Sequence, residues 1–173
     1  MVTIQNFVST CKISVTNLNL HEIAQNIPNS YYKPNKFNAV VIKYIEPKAT
    51  IMLFNSGRLV CTGAKTLSAN KMACEKTAVL LNTHNISEYT IQNIVGSGNM
   101  GKCIDLIGLT KMHRKIVQYE IELFPGANLH FPDSKATAIL FTTGKFIITG
   151  IKHESDLYAF HNRVLELTQP FLY

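Results

Sequence analysis

The stretch KATIMLFNSGRLVCTGAK, residues 48–65, reads as a β-hairpin and is present twice in the chain. Thr50 to Phe54 and Arg58 to Thr62 are rich in β-branched and large apolar residues, and Asn55-Ser56-Gly57 supplies the turn between them. The stretch KATAILFTTGKFIITGIK, residues 135–152, lies 87 positions on and has the same form: Thr137 to Phe141, a turn at Thr142-Thr143-Gly144, then Lys145 to Thr149. Moving outward in this register, Ile4-Gln5-Asn6 returns as Ile91-Gln92-Asn93, Val8 as Val95 and Phe37 as Phe124. One tripeptide match is within chance; a series in one ungapped register is not. The chain is therefore predicted to be two copies of one unit, residues 1–86 and 87–173, fused into a single domain.

Other elements follow from the hairpins. Phe37 to Ile45 reads as a strand ended by Pro47. A helix is expected after each hairpin: one opened by Ser68 and running to about Leu81, the other from about Glu154 to Leu167 with Leu157, Phe160, Val164 and Leu167 on one stripe. Shorter helices are expected at Leu20–Asn26 and near Ile104–Thr110. Each copy is then strand, short helix, antiparallel strands, long helix, an α+β arrangement whose helices cover one sheet face only.

Alternation sorts the hairpin side chains into two faces. Ile51, Leu53, Leu59 and Cys61, with Ala138, Leu140, Phe146 and Ile148, are pure core. The other face carries Thr50, Met52, Phe54, Arg58, Val60 and Thr62, then Thr137, Ile139, Phe141, Lys145, Ile147 and Thr149. It is apolar and hydroxyl-rich, with a cation beside each turn. A contiguous exposed apolar patch marks a binding surface. This one suits the floor of a DNA minor groove, where the amides of Asn6 and Asn93 can donate to adenine N3 and thymine O2. A homodimer or a lost helix layer would leave the same uncovered face, and these readings stay open at the level of composition.

The 173 residues carry 17 Lys+Arg against 11 Asp+Glu, a net charge of +6, which draws the chain toward polyanions. No run approaches the roughly 20 apolar residues of a membrane span, and MVTIQNFVSTCKIS lacks the basic start and apolar run of a secretory signal. These features point to an intracellular protein. Cys11, Cys61, Cys74 and Cys103 contain no Cys-x-x-Cys pair, and His21, His84, His113, His130, His153 and His161 show no ligand spacing. No metal, no cofactor and no catalytic constellation is expected; the close carboxylates Glu120 and Glu122 have no accompanying catalytic group.

Gln5-Asn6-Phe7-Val8-Ser9-Thr10 resembles the opening motif of the TATA-box-binding protein core, and FNAVVIKYIEPKATIMLFNSGRLVCTGAK, residues 37–65, resembles that family's first-repeat signature. IQNIVGS at 91–97, YEIELFPG at 119–126 and the hairpin 135–152 resemble the second repeat, so the similarity covers essentially the whole chain. The resemblance implies a pseudo-twofold saddle: a curved antiparallel sheet of about ten strands below four helices. It implies a transcription initiation factor that binds A/T-rich promoter DNA in the minor groove and kinks it, a mode of which this family is the standard example. Phe37 with Phe54, and Phe124 with Phe141, match the inserted wedges. Asn6 and Asn93 match the central base contacts. Val8, Val60, Val95, Ile147, Met52 and Ile139 match apolar groove contacts, and Thr62 and Thr149 approach base acceptors. Ser56, Arg58, Lys65, Thr143, Lys145 and Lys152 match polar and basic positions facing phosphates, and Lys43, a further DNA-binding position, stands where the family often has arginine. Glu120, Glu122 and Leu123 match the segment that engages a transcription factor IIB-type partner, and through it the RNA polymerase initiation machinery. A nuclear location, or the site of viral transcription, follows from the same likeness.

The departures are specific. His130 replaces a usual arginine, and Asp133-Ser134 stand where Lys-Pro is usual. The first long helix keeps Lys71 and Lys76 but carries Glu75, Val79 and Thr83 where cations are frequent, which puts a transcription factor IIA contact in doubt. The linker, about Thr83 to Thr90, is short, and no extension before the core is expected. These traits suit a divergent lineage, viral or protist. They also favour the alternative function, an interaction platform with little DNA binding of its own, and self-association through the apolar face.

Overall fold

The two periodicities resolve into ten strands and four helices in the computed structural model, which describes residues 1–83 and 85–173. His84, one of the six histidines considered above, lies outside the described residues. The chain forms two compact units: Asn6–Gln92, and Asn93–Tyr173 together with Met1–Gln5. Two long strands, β1 (Val2–Ile13) and β6 (Ile86–Asn99), contribute residues to both.

The first unit adds α1 (Leu20–Asn26), β2 (Ser30–Lys33), β3 (Phe37–Tyr44), β4 (Ala49–Leu53), β5 (Arg58–Ala64) and α2 (Leu67–Leu80). The second adds α3 (Leu106–Met112), β7 (Val117–Gln118), β8 (Gly126–His130), β9 (Thr137–Phe141), β10 (Lys145–Ile151) and α4 (Glu154–Thr168). β1 and β6 are neighbours within each unit, and the hydrogen-bonded order is β2-β3-β4-β5-β1-β6-β10-β9-β8-β7, the ten-stranded antiparallel α+β arrangement expected.

Alternation puts one face of each unit under its helices. Ile51, Leu53, Leu59 and Cys61 have no exposed surface, nor do Ala138, Leu140 and Ile148, while Phe146 is 1% exposed. Burying each large apolar side chain contributes about 1.5–3 kcal/mol. α2 rests on β4 and β5, α1 on β2 and β3, and α4 on β10.

Several boundaries differ from expectation. α2 is capped by Thr66, whose extended backbone lets its hydroxyl accept the Ala69 N–H at 3.1 Å; Ser68 sits inside the first turn. α3 starts two residues later than predicted because Asp105 caps it through the Gly108 N–H at 2.9 Å. Thr83 is not on the α2 surface: it follows the helix, is 5% exposed and donates to the Ala78 carbonyl. The segment expected as linker becomes strand from Ile86, since residues there pair with β1, with Ser87 donating to the Lys12 carbonyl.

Candidate nucleic-acid interface

The face opposite the helices is built from cross-strand rows. In the first unit Tyr31 lies opposite Val41, Val41 opposite Met52, Met52 opposite Val60, and Val60 opposite Thr10. The matching row of the second unit runs Gln118, Asn128, Ile139, Ile147, Ser97. Val8, Met52, Val60, Val95, Ile139 and Ile147 are all half-buried, while their sequence neighbours on the helix side are closed off. The result is an apolar surface that the chain does not fully cover.

Asn6 and Asn93 owe their orientation to a pair of bulges. Phe7 pairs with Ala64 and Ser9 with Cys61, so β5 holds one extra residue at Thr62-Gly63; β10 repeats this at Thr149-Gly150, between Ile148 opposite Gly96 and Ile151 opposite Ile94. Gly63 and Gly150 have φ of +88° and +82°, which a side chain would resist. That conformation aims the Gly63 N–H at Asn6 Oδ1 (2.7 Å) and the Gly150 N–H at Asn93 Oδ1 (2.8 Å). An N–H can only donate, so each amide oxygen is fixed inward and its NH2 group is the end presented. Asn6 Nδ2 and Asn93 Nδ2 each donate one proton at 3.0 Å to the hydroxyl of Thr62 or Thr149. Each amide thus keeps a second N–H to offer an acceptor.

The four phenylalanines form two edge-to-face pairs, one per unit. Phe37 and Phe54 have centroids 5.7 Å apart, Phe124 and Phe141 6.1 Å. Phe37 remains 45% exposed and Phe124 43%, an unusual state for rings that size. Lys43, Ser56, Arg58, Lys65, Thr143, Lys145 and Lys152 are all exposed. Sequence reasoning missed three residues of this face. Lys12, opposite Arg58, makes a 2.8 Å ion pair with Glu88, which places an acid at that corner. Tyr31 and Lys33 lie on the edge strand Ser30–Lys33, whose four residues carry no alternation in sequence that could have found them.

A family model described as transcription factor TFIID (or TATA-binding protein, TBP) matches residues 1–84 and 88–171. The chain belongs to the TATA-binding protein family. It is 38% identical, over 96% of its length, to a TATA-box-binding protein of Acanthamoeba castellanii, and spans 66% of that relative. It is 39% identical over 92% of its length to TATA-box-binding protein 1 of Arabidopsis thaliana, of which it spans 82%. Among solved structures, Methanococcus jannaschii TBP is similar with a TM-score of 0.83 and 31% identity, covering 96% of this chain and 97% of that one.

In this TATA-binding protein family member an exposed acidic segment lies between β7 and β8. Glu120, Glu122 and Leu123 are exposed, Leu123 by 81%, and Leu123 N–H and Phe124 N–H both donate to the Glu120 carbonyl. Phe124 is therefore part of the same turn. Of the positions singled out above as departures, Asp133 has an internal partner. Asp133 accepts from Arg163 Nη1 and Nη2 at 3.1 and 2.9 Å, and Arg163 lies 4.1 Å from the Phe131 ring centroid. Arg163 holds the Asp133 carboxyl below the usual carboxylate range. His130 is exposed, with Nδ1 at 3.4 Å from Thr137 Oγ1. On α2, Lys71 pairs with Glu75 at 3.9 Å, and Lys76 donates to the Glu46 carbonyl above the Tyr44 ring. Val79 is 64% exposed.

Proposed function

We propose that this chain is a transcription initiation factor that binds A/T-rich duplex DNA through the minor groove and kinks it by inserting the Phe37/Phe54 and Phe124/Phe141 pairs. The observation that carries this reading is the exposure of two aromatic pairs at matching positions of an apolar, hydroxyl-bearing sheet face. A ring pair left 45% and 43% open at its leading member is explained by a partner that receives it. Entry of a ring between base pairs unstacks a step at about a few kcal/mol, offset by burial of the Val8, Met52, Val60, Val95, Ile139 and Ile147 rows against sugar and base edges. The oriented amides of Asn6 and Asn93 would donate to adenine N3 or thymine O2, and a guanine amino group at those positions would collide. This favours A·T over G·C without ordering A and T, so finer preference would follow deformability. The exposed cations beside the turns would face phosphates. Glu120, Glu122 and Leu123 would engage a transcription factor IIB-type protein, and the chain would act in the nucleus or at the site of viral transcription.

The test is energy transfer across an end-labelled duplex carrying TATAAAAG, with a G·C-rich duplex as control. The wild type should bend the A·T duplex alone. Phe141→Ala should lose the bend while keeping its thermal unfolding profile, because the ring is not part of the core. Glu120→Arg should keep the bend and lose the ternary complex with the IIB-type factor. A bend unchanged in Phe141→Ala would refute the wedge role; no binding by the wild type would leave the interaction platform as the better reading.

A further inference from the structure

The outer edge of the first unit carries an arrangement that its counterpart lacks. Tyr31, 42% exposed on edge strand β2, has the ammonium of Lys33 and that of Lys43 each 5.7 Å from its ring centroid. The three side chains share the open face. Tyr31 ends the apolar row through Val41, Met52 and Val60; Lys43 lies two residues beyond Val41 on β3; and Lys33 lies opposite the wedge Phe37. The ion pairs among the described residues are Lys12–Glu88, Lys71–Glu75 and Arg163–Asp133, so neither lysine has a carboxylate partner. At the equivalent positions 87 residues on stand Gln118, Glu120 and His130, which hold no fixed cation.

Two ammonium groups beside one ring repel each other and are tolerated because the π-face attracts both. Their shared need is an anion. The row they terminate is apolar, as a groove floor requires, and the charge comes only at its outer end, where a groove is bounded by phosphates. We infer that Tyr31, Lys33 and Lys43 form a phosphate grip that holds the DNA backbone flanking the step entered by Phe37 and Phe54. Tyr31 acts as the positioning residue, keeping two lysine heads on one side of the edge strand. The inference rests on the DNA-binding reading above and adds to it: the two copies grip unequally, with the first making backbone contacts that the second cannot.

The test is the salt dependence of affinity for the TATAAAAG duplex, for the wild type and for Lys33→Ala, Tyr31→Ala and Tyr31→Phe, with the bend followed in parallel. Lys33→Ala should flatten the plot of log K against log salt by about one unit and weaken binding evenly across sequences. Tyr31→Ala should flatten it by less, and Tyr31→Phe should match the wild type because the ring is retained. Replacing the flanking phosphates singly with uncharged methylphosphonates should weaken the wild type at the grip and leave Lys33→Ala unaffected at that phosphate. A wild type that fails to bind overturns both readings. A wild type that binds and bends, beside Lys33→Ala and Tyr31→Ala with unchanged slopes, overturns this inference alone. All three side chains are on the surface, and Tyr31→Phe guards against a fold effect.

Discussion

The two copies place the same backbone under the same helix and fill the space in opposite ways. Beneath α2 the contact is polar. Asn70, with no exposed surface, donates to the Phe7 carbonyl at 2.9 Å and accepts from the Ser9 hydroxyl and from Tyr89 at 2.8 Å. Burial pushes the Tyr89 phenol up to about 12, so it stays a donor. Cys11 and Cys61 lie alongside, and hydrogen bonding to Cys74 together with burial holds both thiols protonated, above their ordinary range. Beneath α4 the matching positions are Leu157 for Asn70, Gly96 for Ser9, Val2 for Tyr89, Gly98 for Cys11, Ile148 for Cys61 and His161 for Cys74. The lesson is that sheet and helix geometry do not choose the chemistry of the layer between them; the residues there choose each other. A leucine above requires a glycine below, because a Cβ at Gly96 would lie 2.9 Å from Leu157 Cδ1 and from Val2 Cγ2. An asparagine above requires donors and an acceptor below.

The largest break in this comparison should come from Asn70→Leu. It leaves the Ser9 hydroxyl, the Phe7 carbonyl and the Tyr89 hydroxyl buried without Asn70, and each such loss costs about 1–3 kcal/mol. Its leucine also meets the Ser9 side chain where the second copy has none. We expect a loss of about 3 kcal/mol or more in denaturant unfolding. Adding Ser9→Gly removes one orphaned hydroxyl and makes room, so the double variant should be more stable than Asn70→Leu alone. If the two changes instead add as independent losses, the layer is not a coupled set.

The converse probe is smaller. Gly96→Ala puts a methyl against Leu157 and Val2, whose side-chain ends can shift, and should cost about 1–3 kcal/mol as overpacking. Gly96→Ala with Leu157→Ala should recover part of the lost close contact energy relative to the sum of the single changes. An additive result would mean that Gly96 is present for backbone reasons and not for the leucine.

These couplings mark the boundary of what the sequence could convey. The hairpins were legible because Ile51, Leu53, Leu59 and Cys61 alternate cleanly and recur as Ala138, Leu140, Phe146 and Ile148. The short strands β2 and β7 and the start of β6 were not. Ser30–Lys33 is four residues of mixed polarity, Val117–Gln118 only two, and Ile86–Thr90 is strand because β1 offers a partner. The α2 cap was misplaced because Thr66 and Ser68 are equally good caps in composition, and only backbone conformation separates them. At the candidate interface, the choice of the four phenylalanines and the two asparagines came from the repeat and the family likeness. The facing of each amide did not, since it depends on a bulge and on a glycine N–H 57 residues away in sequence. Tyr31 and Lys33 escaped notice for the same reason: their partner Lys43 is a cross-strand neighbour.

The smallest expected effect concerns pH. His161 is 6% exposed, its ring is tilted against Phe146 at 5.2 Å, and its Nε2 is buried without a hydrogen-bond partner. Burial, with a secondary contribution from the amino terminus, lowers its pKa below the ordinary histidine value. The folded state therefore binds this proton less readily than the unfolded chain, whose histidine titrates near about 6.5. Stability is fully present above that value and declines as pH falls through it, until the depressed folded pKa is passed. A cysteine thiol at 161 would have Gly98 and Ile148 where Cys74 has Cys11 and Cys61, so burial alone acts on it and keeps it uncharged in that window. His161→Cys should thus flatten the fall in denaturant midpoint between about pH 7 and pH 5, while any loss at pH 7.5 reports packing alone. The remaining histidines cannot mimic this result, because they are unchanged in the variant. If wild type and His161→Cys lose stability in parallel as the pH drops, the acid sensitivity lies elsewhere, and the second copy's buried imidazole is only a space-filling ring.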